Sequence, residues 1–310
     1  MNNKECFYFT STSQTTKIHA VRYLPQDEIK GILQITHGMV EYIERYEPFA
    51  LYLNSKGILV TGHDHLGHGK SINSKDEWGY FAKENGNQSV LQDIYQLTVL
   101  TKEKYPNIPY FILGHSMGSF YVRQYLCEFG HDVDGTIIMG TGCQPLPLVQ
   151  MGIFLTSLIA FFKGWNYRSR LINNIAFSSY NKHFQPARTD KDWLTRDTAI
   201  VDKYRSDERC GFIFTLNAYY NMFTGIKRLY NQKLLSKMPK ELPVFFISGK
   251  EDPVGDFGKG VLKAADMFYH TGMKNVTTKL YPDCRHEILH EINCVEVYHD
   301  ILTWLLALIP

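Results

Sequence analysis

The 310-residue chain has almost no net charge, since 33 basic side chains against 31 acidic ones leave +2 at neutral pH. That removes the cationic surplus on which sequence-independent nucleic-acid binding depends, so no nucleic acid is expected as a partner. Cysteines are few. The six (Cys6, Cys127, Cys143, Cys210, Cys284, Cys294) show no CxxC spacing, which argues for reduced thiols over a disulfide scaffold or a zinc site. Met1 to Cys6 leads into no apolar run of about 7–15 residues, so no secretion signal is legible and a cytoplasmic location is expected. Internal repeats and low-complexity tracts are also missing. What remains is an ordinary soluble composition, 44% apolar and 21% charged, enriched in aromatics with 20 Tyr and 19 Phe. Aromatic side chains in that number can both pack a core and line an apolar cavity.

Short β-rich runs recur along the chain: Ile32 to Thr36, Ile58 to Thr61, Tyr110 to Leu113, Thr136 to Met139, Val244 to Ser248 and Thr277 to Tyr281. Such uninterrupted apolar runs are expected of parallel strands buried on both faces. Helical composition lies between them, over Tyr46 to Lys56, Ser89 to Lys104 and Ser119 to Phe129, so the class is α/β with a mostly parallel sheet. Cys6 to Thr10 and Ile18 to Tyr23 flank a polar stretch and predict an antiparallel hairpin at the sheet edge. The rhythm breaks between Met139 and Val244. We therefore expect a core over 1–140, a helical insertion over 141–235, and the rest of the core over 236–310. Within the insertion Leu146 to Phe162 is free of charge, then Lys163, Arg168 and Arg170 follow. At about 17 residues it sits at the lower limit for a membrane span. A helix covering an apolar site, or lying against a membrane surface beside those basic residues, fits it better.

The chemistry is carried by Gly114-His115-Ser116-Met117-Gly118, which follows one strand and opens a helical pattern. This G-x-S-x-G is the pattern of a nucleophile elbow, in which glycines remove Cβ atoms where strand and helix crowd a strained serine. A serine hydroxyl needs a histidine to take its proton and a carboxylate to orient that histidine. Val244 to Ser248 runs into Gly249-Lys250-Glu251-Asp252-Pro253, and Asp252 is the candidate acid, with Glu251 and Asp256 as alternatives. Thr277 to Tyr281 runs into Pro282-Asp283-Cys284-Arg285-His286, which offers His286 as general base. Acyl transfer also needs two backbone N–H donors for the oxyanion. Met117 follows the serine directly, and Met39 lies in His37-Gly38-Met39 after the Ile32 to Thr36 strand.

Taken with Glu41, Arg45-Tyr46 and Asp64-His65-Leu66-Gly67-His68-Gly69-Lys70-Ser71, these motifs resemble the monoacylglycerol lipase and lysophospholipase group of serine α/β-hydrolases. The resemblance runs from about residue 17 to the C-terminus, outside the insertion. It implies an eight-stranded sheet, a helical cap, hydrolysis of single-chain acyl esters such as monoacylglycerols through an acyl-enzyme, and a lipid ester as the small-molecule partner. No cofactor and no metal are expected. Leu148, Ile153, Phe154, Leu158 and Phe161 are then the candidates to line the acyl passage, and peripheral membrane contact would fall to the same cap. Ser119 departs from the group, which usually has another glycine there.

Three motifs compete. His286-Glu287-Ile288-Leu289-His290 matches H-E-x-x-H, but no third zinc ligand follows and the elbow would go unexplained; we expect Glu287 and His290 on a helix after the base. His63, His65 and His68 crowd Asp64 without the spacing of a ligand set, and a hydrogen-bonded turn is expected. Gly69-Lys70-Ser71 ends like a phosphate loop, yet Asp64 stands where the first glycine belongs. Two other functions keep the same fold. One is aminopeptidase activity, with Asp190, Asp192, Asp197 or Asp202 holding a substrate ammonium; the other is a non-catalytic ligand-binding protein.

Overall fold

The computed structural model describes residues 4–310. Eight strands form one sheet: β1 Lys4–Thr10, β2 Lys17–Tyr23, β3 Gly31–Thr36, β4 Ile58–His63, β5 Tyr110–His115, β6 Gly135–Met139, β7 Val244–Gly249 and β8 Val276–Tyr281. Their order is β1-β2-β4-β3-β5-β6-β7-β8. The first two pairings are antiparallel, which makes β1–β2 the expected edge hairpin, and the other five are parallel.

Among the described residues ten α-helices complete the fold: α1 Glu47–Asn54, α2 Gly86–Lys104, α3 Met117–Phe129, α4 Leu146–Lys163, α5 Arg170–Phe177, α6 Thr198–Ser206, α7 Leu216–Arg228, α8 Gln232–Leu235, α9 Lys259–His270 and α10 Cys294–Leu306. Strand side chains alternate between two cores. Ile32 and Ile112 pack on one face with Val90, Ile94 and Val122 of α2 and α3. Leu33, Ile35, Phe111 and Leu113 pack on the other with Phe49, Leu53, Ile301 and Leu305 of α1 and α10. Every residue of β3, β4, β5, β6 and β7 is therefore buried, which is why these strands read as continuous runs.

Helix ends differ from the sequence expectation by local chemistry. Tyr46 to Lys56 resolves into a 3₁₀ turn over Ile43–Tyr46 followed by α1, with Pro48 in the first turn, where its missing N–H costs nothing. No α-helix carries Glu287 and His290. A single 3₁₀ turn, Ile288–His290, precedes α10, so the H-E-x-x-H residues do not share a helical face. Helices α4 to α8 all lie in the chain between β6 and β7, and α4 packs closely on α7: a Cβ on Gly152 would sit 3.1 Å from the Phe223 ring.

Candidate active site

Ser116 sits between β5 and α3 with φ 52° and ψ −119°, a backbone region costly for any residue bearing a Cβ. The turn holds because its neighbours are glycine. A Cβ on Gly118 would lie 2.0 Å from the Thr36 carbonyl, and one on Gly114 would lie 2.5 Å from that of Gly118. The strain is held by hydrogen bonds. Ser116 N–H donates to the Met139 carbonyl at 2.9 Å, and the Ser119 hydroxyl donates to the Ser116 carbonyl at 2.6 Å. Ser119, the departure from glycine, thus adds a bond at the elbow itself.

Asp252 and His286 follow β7 and β8 and meet behind the serine. His286 Nδ1 donates to Asp252 Oδ2 at 2.9 Å. Asp252 also accepts from the Ser248 hydroxyl at 3.2 Å and the Val254 N–H at 2.8 Å, so both oxygens of a fully buried carboxylate have donors. Glu251 and Asp256, the alternatives, make no such contact with His286; Asp256 instead faces the cavity. The imidazole is flanked by the rings of His115 at 4.8 Å and Trp193 at 5.1 Å. Ser116 and His286 face one cavity of about 860 Å³, shared with Met39 and Met117. Among the described residues the Met39 N–H has no hydrogen-bond partner, and Met117 opens α3, where first-turn amides lack helical acceptors.

A buried charge network joins the loops around the serine, and only its members, not its connectivity, were visible in the sequence. Glu41 Oε1 accepts from the Gly38 N–H at 2.5 Å, the Tyr46 hydroxyl at 2.9 Å and His115 Nδ1 at 3.0 Å. Arg45 bonds Glu41 at 2.7 Å and grips both oxygens of Glu287, the neighbour of His286, at 2.8 and 2.6 Å. Burial pushes the Glu41 and Glu287 carboxyls up, but His115 and Arg45 around Glu41, and Arg45 and His290 around Glu287, outweigh it and hold both well below the usual range. Burial likewise works against His115, yet the bond and charge of Glu41 keep its pKa raised.

The remaining candidates separate clearly. Leu148 lines the cavity, but Ile153, Phe154, Leu158 and Phe161 do not. Ile153 and Phe154 border a shallow groove on the other side of α4, and Phe161 is 82% exposed. The inward face of α4 is Pro145, Leu148, Val149, Gly152 and Leu155, at helical spacing. The run is apolar all round, so composition alone gave no phase. Of the basic residues after it, Arg168 turns inward to the Ile213 and Asp76 carbonyls, whereas Lys163 and Arg170 are exposed.

The acids considered for an ammonium are already engaged. Asp197 caps α6, Asp192 caps the Arg188–Thr189 turn and Asp202 pairs with Arg188; Asp190 alone of the four lines the cavity, where it lies against Lys191 and Arg205. Asp64 accepts from His19 Nδ1 at 3.0 Å and from the amides of Ile43 and Lys70, so a carboxylate occupies these donors where a phosphate loop would offer them to its ligand. Burial lowers His63 and His68 to about 3, so both are neutral members of a packed turn.

A strained serine at a strand-to-helix turn, backed by a histidine and a buried aspartate from later strands, defines a serine α/β-hydrolase. Residues 27–293 match the serine aminopeptidase S33 family, and the chain belongs to it. Among curated relatives, a monoglyceride lipase homolog of Monkeypox virus is 40% identical over 288 residues, covering 89% of each chain. The monoglyceride lipase of Rattus norvegicus is 27% identical over 290 residues, 90% of this chain and 84% of that one. Among solved structures, a thermostable carboxyl esterase from Bacillus coagulans in complex with glycerol superposes with a TM-score of 0.92 at 27% identity, covering 99% of both chains.

Proposed function

We propose that this chain hydrolyses monoacylglycerols or similar single-chain esters through an acyl-enzyme. Ser116 Oγ attacks the ester carbonyl as His286 Nε2 takes its proton, and Asp252 on Nδ1 holds the ring and offsets its charge. The Met39 and Met117 N–H groups receive the developing oxyanion. The alcohol departs with the proton from His286, and a water, activated by the same imidazole, releases the fatty acid and restores the serine. The observation that carries this reading is the 2.9 Å His286–Asp252 pair with His286 opening onto the cavity that Ser116 also lines. Leu148, Val149, Leu155, Ile172, Met222 and Phe223 give that cavity the lining an acyl chain needs. Ser116→Ala should lower turnover of a glyceryl monoester by on the order of 10⁴-fold or more and abolish labelling by a fluorophosphonate. Retained turnover would remove the mechanism, and a wild-type chain inert to the probe would favour a non-catalytic binder.

The helices between β6 and β7 act, in this reading, as a cap over the cavity. The outward side of α4 presents Phe154, Leu158, Phe161 and Phe162 beside Lys163, with Trp165, Arg170 and Leu171 close in sequence, a combination suited to a lipid surface. Replacing Phe161 and Phe162 together by Ser should reduce sedimentation with vesicles by about tenfold while leaving hydrolysis of a soluble nitrophenyl ester near wild type. Equal vesicle binding by both proteins would refute surface docking through α4.

A further inference from the structure

We propose a zinc-class cation site at the sheet edge, outside the cavity, formed by Cys6 of β1, His19 of β2 and Glu44 in the 3₁₀ turn Ile43–Tyr46. Their ligating atoms all lie within 4.8 Å of one another. The three residues come from separate elements, so no spacing motif marks them.

His19 is what makes the cluster a site. It is 1% exposed, its Nδ1 is bonded to Asp64 Oδ2 at 3.0 Å, and its Nε2 has no hydrogen-bond partner among the described residues. A carboxylate behind one ring nitrogen fixes the tautomer and turns the other nitrogen's lone pair outward, the arrangement found behind metal-ligating histidines. Asp64 is itself held, accepting from the Ile43 and Lys70 amides at 2.9 and 2.8 Å. The imidazole is further positioned by the Tyr8 ring at 5.3 Å.

The donor set selects the ion. Thiolate, imidazole and carboxylate together suit zinc and other borderline first-row ions, whereas calcium and magnesium require oxygen ligands throughout. Bond lengths of about 2.3 Å to sulfur and 2.0–2.2 Å to nitrogen and oxygen need ligand atoms closer together than 4.8 Å, which rotation of the exposed Cys6 side chain can supply. Three protein ligands leave the fourth tetrahedral position to water.

Charge balances as well. Glu44 at present pairs with Lys4 Nζ at 2.8 Å and Lys70 Nζ at 3.0 Å, with Arg209 at 3.8 Å. The incoming ion takes Lys4's place on one carboxylate oxygen, Lys4 keeps its second partner Glu47 at 3.0 Å, and the Cys6 thiol releases its proton to solvent. A bound ion would tie β1 and β2 to the turn that carries Arg45, and through it to Glu41 and Glu287 beside the candidate active site.

The test uses the full chain and cobalt(II) as a spectroscopic probe, with zinc as competitor. The expected result is one cobalt per chain, a thiolate-to-cobalt charge-transfer band, loss of that band on adding zinc, and a zinc-dependent rise in melting temperature. Cys6→Ser should remove the band and weaken zinc binding by about 100-fold or more, since even outer-shell partners are worth 10–100-fold. Its melting temperature in chelator should match wild type, and alkylating the native Cys6 with iodoacetamide should abolish the band without any substitution. Glu44→Gln should weaken zinc, and Lys4→Met should tighten it. Absence of a band, or a band and affinity unchanged in Cys6→Ser, overturns the proposal.

Discussion

Replacing Arg45 by Met tests whether the network beneath the serine holds the catalytic loops. The guanidinium side chain is 9% exposed and lies between two carboxylates that are each 3% exposed. Met keeps an unbranched apolar stem but removes the guanidinium from over the Tyr204 ring, where it lies at 4.9 Å, and leaves Glu41 and Glu287 buried without that cation. Breaking a buried ion pair by removing one partner costs about 3–5 kcal/mol, because the remaining charge is uncompensated. The sign with pH follows from the native shifts. Both carboxyls are held well below their usual values, so their contribution to stability is present above the ordinary carboxylate range and is lost as pH falls through the depressed values. Without Arg45 burial at Glu287 is opposed only by His290, so its carboxyl rises from the depressed native value and the penalty grows with rising pH. Glu41 keeps His115 and shifts less. Urea denaturation of both proteins should therefore give a loss of about 3–5 kcal/mol at pH 8 that shrinks as pH falls through the carboxylate range. Adding Glu287→Gln should recover part of it. A loss under about 1 kcal/mol at pH 8, or one that deepens in acid, would refute the reasoning.

Two further outcomes follow from burial. Asp93 of α2 anchors the β1–β2 turn, accepting from Ser11 Oγ at 2.7 Å and from Thr12 N–H at 2.7 Å, but burial outweighs these bonds and raises it from 3.8 to about 6. A raised carboxyl destabilises the fold above pH 6 and not below about pH 4, so Asp93→Asn should stabilise by on the order of 1–3 kcal/mol at pH 8, with the difference closing toward pH 4 in denaturant melts. A gain that is independent of pH would assign the effect to packing instead. Leu148→Trp should shorten the preferred acyl chain, cutting kcat/KM for long-chain glyceryl esters by about tenfold or more while sparing short nitrophenyl esters. Equal losses across chain lengths would remove Leu148 from the acyl path.

What the sequence made legible is what sits at strand ends. Ser116, Asp252 and His286 could be chosen because each follows a buried run, and a parallel sheet brings the carboxyl ends of its strands to one edge. The elbow glycines were readable for the same local reason: they lie two residues either side of the serine, where a Cβ would strike backbone. Side chains whose partners lie far away along the chain left no such trace. Arg45 meets Glu287 across 242 positions, and both look like surface charges until the fold brings them together next to His286. The phase of α4 was hidden for another reason, since a helix apolar on every side satisfies a cavity lining and an exposed face equally well. Gln150, Thr156 and Ser157 interrupt the run without marking its phase, and Gly152 breaks it too. Its missing Cβ lets the Phe223 ring of α7 lie close against α4, beside the buried Val149, Thr156 and Ala160, while Leu148 and Leu155 line the cavity with Ser116 and Phe154 and Phe161 stay exposed. A larger residue at Gly152 would strike that ring, and should disturb acyl selectivity and vesicle binding together.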